Sequence, residues 1–266
     1  MKQILKITGY TIADQMRAKS FYLLLAISIG LLFIMRGCYS ADYVINGQPL
    51  ESVFHISRII FQVIVMGMLL MVAMISMRIF TRDLTDGSVQ MFLSRPVKRL
   101  EYVLGRIIGT WLLSSGFMLL LHLTMGVIVW TQTGGFNPGY LGAFLVCSVN
   151  LLFMISTVCF FSLLVPDFIS ALFAIGLLGI GFVSDGGYRL LNTDTVSALL
   201  SSTADSSPAL WRLFYPKLFM VQAYADTFIS QNAFVGLGPV HPLINVFGFS
   251  GLFIWLTVVT FNKKSL

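Results

Sequence analysis

From Ile107 to Pro166 the chain contains no Asp, Glu, Lys or Arg. Few folds accept such a run. In water it would expose more apolar surface than one domain can hide, whereas in a bilayer about 20 apolar residues make one helical crossing. The run is long enough for two crossings, Ile107–Trp130 and Leu141–Val165, with Gly134-Gly135 and Asn137-Pro138 supplying the turn between them.

The same reading extends along the chain. Further apolar stretches are Ser20–Met35, Ile59–Phe80, Phe168–Val183 and Leu243–Phe261, which gives six spans. Only 11% of residues are charged and 57% are hydrophobic, against about 25% charged in soluble domains. The fold class is therefore all-α integral membrane: six transmembrane helices, an amino-terminal interfacial helix and a short cytoplasmic helix, in one transmembrane domain over residues 1–266. No soluble domain fits in the remaining length. Residues 1–19 place Lys6 and Arg17 on one helical face and Leu5, Ile12 and Met16 away from it, which suits a helix lying in the membrane interface; a frayed tail before the first span is the alternative. Gly37-Cys38 is shaped like a lipoprotein cleavage site, but Arg36 before it and the spans that follow favour an uncleaved anchor. Residues 184–240 form an outer-face connection between spans five and six, and its half from Leu210 to Val235 is aromatic enough to rest on the bilayer or dip into it.

Charge sets the orientation. Lys2, Lys6, Arg17, Lys19, Arg78, Arg82, Arg95, Lys98, Arg99, Arg106, Lys263 and Lys264 fall on one side, and Arg36, Arg58, Arg189, Arg212 and Lys217 on the other. Basic residues concentrate on the cytoplasmic side of membrane proteins, so both termini are expected in the cytoplasm. With acidic residues included, the inner side carries +7 and the outer −1.

Several chemistries find no support. Cys38, Cys147 and Cys159 form no disulfide framework, and His55, His122 and His241 lie in unrelated segments without an HExxH helix, so no metal site is expected. Met66, Met68, Met71, Met74 and Met77 are soft ligands in principle, but their spacing drifts around a helix and gap-filling explains them. His122 stands alone inside a span, as a proton relay or as a packing residue. With Asn150 it offers only a slender basis for an intramembrane enzyme, and no catalytic residue is assigned. The span centres carry no Asp, Glu, Lys or Arg, contrary to what ion-coupled transport usually requires. Neither GxGxxG nor GxxxxGK[ST] occurs, so any ATP must be used by a partner.

One polar stretch, Arg78 to Gly109, looks shaped rather than merely solvated. Within it stand Arg82-Asp83-Leu84-Thr85-Asp86-Gly87-Ser88, then Phe92-Leu93-Ser94-Arg95-Pro96-Val97-Lys98-Arg99, then Tyr102-Val103-Leu104-Gly105-Arg106 and Gly109. In this order they resemble the corresponding segment of ABC-2 type transporter permeases, with Asp83 where the family usually has Glu, Ser88 for Thr and Lys98 for Ser. The family's six spans, amphipathic amino-terminal helix and long connection between spans five and six match over the whole length. Within the family the chain most resembles the permease of the copper-maturation transporter of nitrous-oxide reductase; exporters of lipids, peptides, antibiotics and polysaccharides share the pattern.

The resemblance implies a permease of the bacterial inner membrane that exports a substrate and works as a homodimer above two cytoplasmic ABC ATPase subunits. It implies no cofactor in this chain, ATP and Mg2+ being held by the ATPase, and no nucleic-acid partner. Residues 81–94 correspond to the coupling helix that docks on the ATPase, with Arg82, Asp83, Asp86, Gly87, Phe92 and Leu93 as its contacts. The residues themselves agree: Asp83 and Asp86 suit a helix start, Phe92 and Leu93 are apolar, and Arg95-Pro96 ends the helix. Arg95, Lys98, Arg99 and Arg106 are expected to anchor the segment on anionic lipid. A different class of function stays open beside export: transmission of ATP-driven motion to a periplasmic partner through the aromatic outer connection.

Overall fold

The computed structural model describes residues 2–17, 22, 25–30, 33, 44–45, 48–49, 52–87, 89, 97–133, 138–191, 214–230, 234 and 240–264. Helices dominate them: α1 (Lys2–Arg17), α2 (Ser52–Ser76), α3 (Ile79–Thr85), α4 (Arg99–Thr133), α5 (Gly139–Ser162), α6 (Asp167–Leu191), α7 (Leu218–Ser230) and α8 (Pro242–Lys263). The one extended feature is a two-residue pairing of Val44–Ile45 with Gln48–Pro49. Half of the expected first span, Ser20–Met35, lies outside the described residues.

Five helical stretches among the described residues are long and apolar enough to cross a membrane: Ile59–Thr85, Arg99–Thr131, Gly139–Ser162, Asp167–Gly187 and Pro242–Lys263. The protein is an all-α integral membrane protein. Helix α5 is the axis of the bundle, packed by α2, α4, α6, α7 and α8. Its residues Phe153 to Cys159 are all buried, which explains why its apolar side chains run all round instead of on one stripe. Helices α6 and α8 are peripheral. They expose Phe168, Leu172, Phe173, Ile180, Phe247 and Trp255, an apolar surface of the kind that meets lipid or another protein.

Helix α4 has 35 residues, ~52 Å at 1.5 Å per residue, against a hydrocarbon layer of about 30 Å. Its first turns therefore project beyond the bilayer. At that end also lie α1, α3, the start of α6 and the end of α8. Helix α1 packs there along α4 through one apolar and two hydroxyl side chains: Ile7, Thr8 and Thr11 are buried while Leu5, Tyr10 and Met16 stay exposed. Gly105 and Gly109 open the groove for it. A Cβ on Gly105 would stand 2.7 Å from the Ile7 side chain, and one on Gly109 2.7 Å from Thr11, so the close approach requires glycine at both positions.

The short polar helix departs from the expected 81–94. It begins at Ile79, after a break at Arg78 (φ −96°, ψ −2°), and ends with Asp86 as its C-cap. Gly87 follows at φ +68°, the left-handed stop that glycine adopts without penalty. Val89 is buried; Phe92, Leu93 and Arg95 lie outside the described residues.

The outer connection also holds a surprise. Helix α7 is not laid over the bundle but inserted in it, with Leu218, Met220, Val221, Gln222, Ala225, Asp226 and Ile229 buried. Its start meets the middle of α5: Asn150 Nδ2 donates to the Leu218 carbonyl at 3.1 Å, about 16 Å along α5 from Gly139 at 1.5 Å per residue. Its far end reaches Gly142, where an added Cβ would lie 2.8 Å from Phe228. Between these, Gln222 Nε2 donates to the Gln62 carbonyl of α2 at 3.3 Å. The segment thus dips into the bundle and climbs back.

Candidate functional site

The projecting end of α4 carries a buried charge cluster. Asp83 lies on the inner side of α3, and its carboxylate accepts a hydrogen bond from the Tyr102 hydroxyl and pairs with the Arg106 guanidinium. Tyr102 is fully buried and Arg106 is 3% exposed. The two stand one turn apart on α4, so both reach the same carboxylate. Arg106 further lies 5.3 Å from the centre of the Tyr10 ring and 5.8 Å from that of Tyr102, within cation–π range.

Helix α1 joins the same cluster. Arg106 Nη1 stands 4.0 Å from the Asp14 carboxylate and donates to Thr11 Oγ1 at 3.5 Å, while Thr8 Oγ1 donates to the Gly105 carbonyl at 3.3 Å. Gln15 Nε2 donates to Thr110 Oγ1 at 2.8 Å. Arg82 approaches Asp14 and Asp86, each at 3.5 Å, with its own side chain 60% exposed and that of Asp86 58% exposed. The cluster thus has a buried half, Asp83–Tyr102–Arg106, and a solvent-facing half, Arg82–Asp86.

Two more elements are tied in. Thr81 Oγ1 donates to Asp167 at the start of α6, at 2.5 Å. Phe80 and Tyr102 both pack on Phe261 of α8, with ring centres 5.8 Å and 5.6 Å away. Arg99 Nη1 donates to the carbonyls of Asn262 at 2.9 Å and Lys264 at 3.1 Å, capping the end of α8. Helix α3 is thereby gripped by α1, α4, α6 and α8 together.

This arrangement redistributes the residues singled out from sequence. Arg82, Asp83, Asp86 and Gly87 do share one element, but Asp83 points inward and has no surface to offer a partner. Arg106 was expected on lipid; it is instead enclosed by Asp83, Tyr102 and Tyr10, since a buried carboxylate requires a matched cation. Arg99 turns to the α8 carbonyls. Among the described residues of that group only Lys98 is exposed, and its backbone N–H donates to Glu101 at 3.2 Å, half of a capping box for α4. Sequence reasoning missed Asp14, Tyr102 and the Gly105–Gly109 groove. The available signals were the Tyr–Arg pair at i,i+4 and the small-x-x-x-small spacing, both inside a stretch read only as an anchor on anionic lipid.

Elsewhere the polar residues pack. His122 Nδ1 lies 2.8 Å from the Met118 carbonyl, which can only accept, and its ring meets Phe61 at 5.4 Å edge-on and Phe144 at 6.5 Å. Of the methionines, Met68 is in the core and Met74 is half exposed, so they do not share a face. The span centres hold no Asp, Glu, Lys or Arg, yet Asp185, Lys217 and Asp226 are buried as well. They belong to the end of α6 and to the inserted connection, outside the spans where charge was sought. The Tyr215 hydroxyl donates to Asp185 at 2.5 Å and the Lys217 backbone N–H to Asn245 at 3.0 Å.

A family model described as ABC-2 family transporter protein matches residues 6–183. The match runs from within α1 to within α6 and includes every residue of the charge cluster. No curated protein matches the chain.

Proposed function

The chain belongs to the ABC-2 family of transporter proteins, and on that premise we propose that it is the permease subunit whose partner ATPase docks on the solvent-facing half of the charge cluster. A family of membrane components without nucleotide motifs needs an ATPase from outside. The observation that carries the reading is helix α3: it offers exposed Arg82 and Asp86 at its tip while its base is bound into four other helices. A push on such an element has somewhere to go. The positively charged end of the bundle is then the cytoplasmic side of the inner membrane, two ATPase subunits serve two permease copies, and ATP hydrolysis drives export of a substrate.

Transmission to an outer-face partner is not favoured. It rested on the aromatic connection beside a membrane interior poor in polar groups, and α7 buries Leu218, Val221, Ala225 and Ile229 in the bundle while Phe214 stays exposed. Export is the reading kept.

Co-purification tests it. The permease expressed with a cognate ABC ATPase should retain that ATPase on an affinity column, and Arg82→Glu with Asp86→Lys should release it without altering the permease's own elution. Retention of the ATPase by the double variant would remove docking from this face.

A further inference from the structure

We propose that the seam between α4 and the first span is a binding site for an acyl chain of one anionic phospholipid, entered from the end of the bundle that carries the charge cluster. Two cavities lie end to end in this seam. One, of about 270 Å3, is lined by Ile12 of α1, Leu25 of the first span, and Leu112 and Gly116 of α4. The other, of about 500 Å3, continues from Gly116 to Phe33 and Thr131. From Leu112 to Thr131 is ~28 Å along α4 at 1.5 Å per residue, close to a hydrocarbon layer of about 30 Å.

The glycines of α4 distinguish this seam from a helix contact. Gly105 and Gly109 are closed over by α1, yet a Cβ built on Gly116 meets nothing within 4 Å. Spread over that length, the two volumes leave a cross-section of roughly 27 Å2, whereas a helix about 10 Å across needs roughly 80 Å2. An extended peptide fits no better. Among the described residues that line the cavities the only polar side chains are Thr124 and Thr131, and both hydroxyls donate to carbonyls of α4 itself. The N–H and C=O groups of a peptide would therefore have no partners. A hydrocarbon chain needs none.

Charge selects the headgroup. Helix α1 contains Lys2, Lys6 and Arg17 against the single acid Asp14, and Asp14 already faces Arg82 and Arg106. Lys6 and Arg17 are exposed and share a face that adjoins Leu5, Ile12 and Met16, the side of α1 on which the seam opens. A phosphate with net negative charge meets these basic groups at the level where headgroups lie, and its chain enters beside Ile12. A zwitterionic headgroup gains far less from them. The site needs only the bilayer and is independent of ATPase docking.

The test uses the full-length permease in nanodiscs of phosphatidylglycerol and phosphatidylcholine in equal parts. Native mass spectrometry of the released protein should show one phosphatidylglycerol per chain, retained over phosphatidylcholine on the order of tenfold, the size expected for two basic residues near the surface. Gly116→Leu fills space that is open in the parent, so elution and thermal unfolding should be unchanged while the retained lipid is lost. Lys6→Gln with Arg17→Gln should abolish the preference. A phosphatidylglycerol carrying a diazirine at the end of its chain should crosslink to α4 between Leu112 and Thr131. Equal retention of the two lipids, retention unmoved by Gly116→Leu, or crosslinks confined to the exposed faces of α6 and α8 would overturn the site. Because the crosslink is read on the parent, it decides the matter even where a variant misfolds.

Discussion

At the scale of residues, a buried ion pair is informative by what happens when half of it is removed. Asp83→Asn or Arg106→Ala leaves one charge enclosed among aromatic rings, a loss of about 3–5 kcal/mol for such pairs. Replacing both by apolar residues, Asp83→Leu with Arg106→Met, should recover most of that stability while abolishing ATPase-driven function. Thermal unfolding in detergent, followed by size-exclusion recovery, separates the two outcomes. Asp83→Glu keeps the carboxylate and matches the family's usual residue, so it should retain function. The glycine groove gives an independent check. Gly109→Val drives a side chain into Thr11, where an added Cβ would already stand 2.7 Å away, and overpacking of this kind costs about 1–3 kcal/mol. Helix α1 should then be cleaved by added protease faster than in the parent. Little of this was legible beforehand. A list of basic residues does not say which of them is enclosed, because burial of Arg106 depends on Asp14 and Asp83 arriving from two other helices.

At the scale of elements, even a local stop can be overlooked when a later one is louder. Gly87 ends the short helix at φ +68°, whereas the sequence reading carried it on to Arg95-Pro96. Gly87→Ala should cost about 1 kcal/mol for holding a Cβ in the left-handed region, and it should redirect the chain after α3, so ATPase retention should fall more than stability does. The connection after span five was legible as aromatic and amphipathic, but not as inserted. Its fate depends on Asn150, whose amide meets the Leu218 carbonyl, and on Gly142 and Gly181, which leave room for Phe228 and the Pro216 carbonyl. Those partners lie on α5 and α6. Asn150→Leu should therefore loosen α7 by about 1 kcal/mol, and a cysteine at Leu218, fully buried in the parent, should become reactive to maleimide in the variant.

At the scale of the whole molecule, composition and span spacing were enough to give the class, because no alternative solvent tolerates so much apolar surface. Five of the expected spans lie on helices that the described residues show, and the 35-residue α4 adds what a hydropathy window cannot: a projecting end on which the charge cluster is mounted. The proposed orientation rests on the same asymmetry. Lys98, Arg99, Arg106, Lys263 and Lys264 sit at that end, and the α4–α5 turn at Pro138 sits at the other. Moving basic residues across an energised membrane is opposed, so the cluster end should stay inside. Single cysteines at Thr85 and Pro138, both exposed, decide the matter in intact cells once Cys38 is replaced, since Cys147 and Cys159 are buried. An impermeant maleimide should label Pro138→Cys from outside and reach Thr85→Cys only after the membrane is opened. The opposite pattern would place α3 on the outer surface, where no ATP is supplied, and the charge cluster would need another partner altogether.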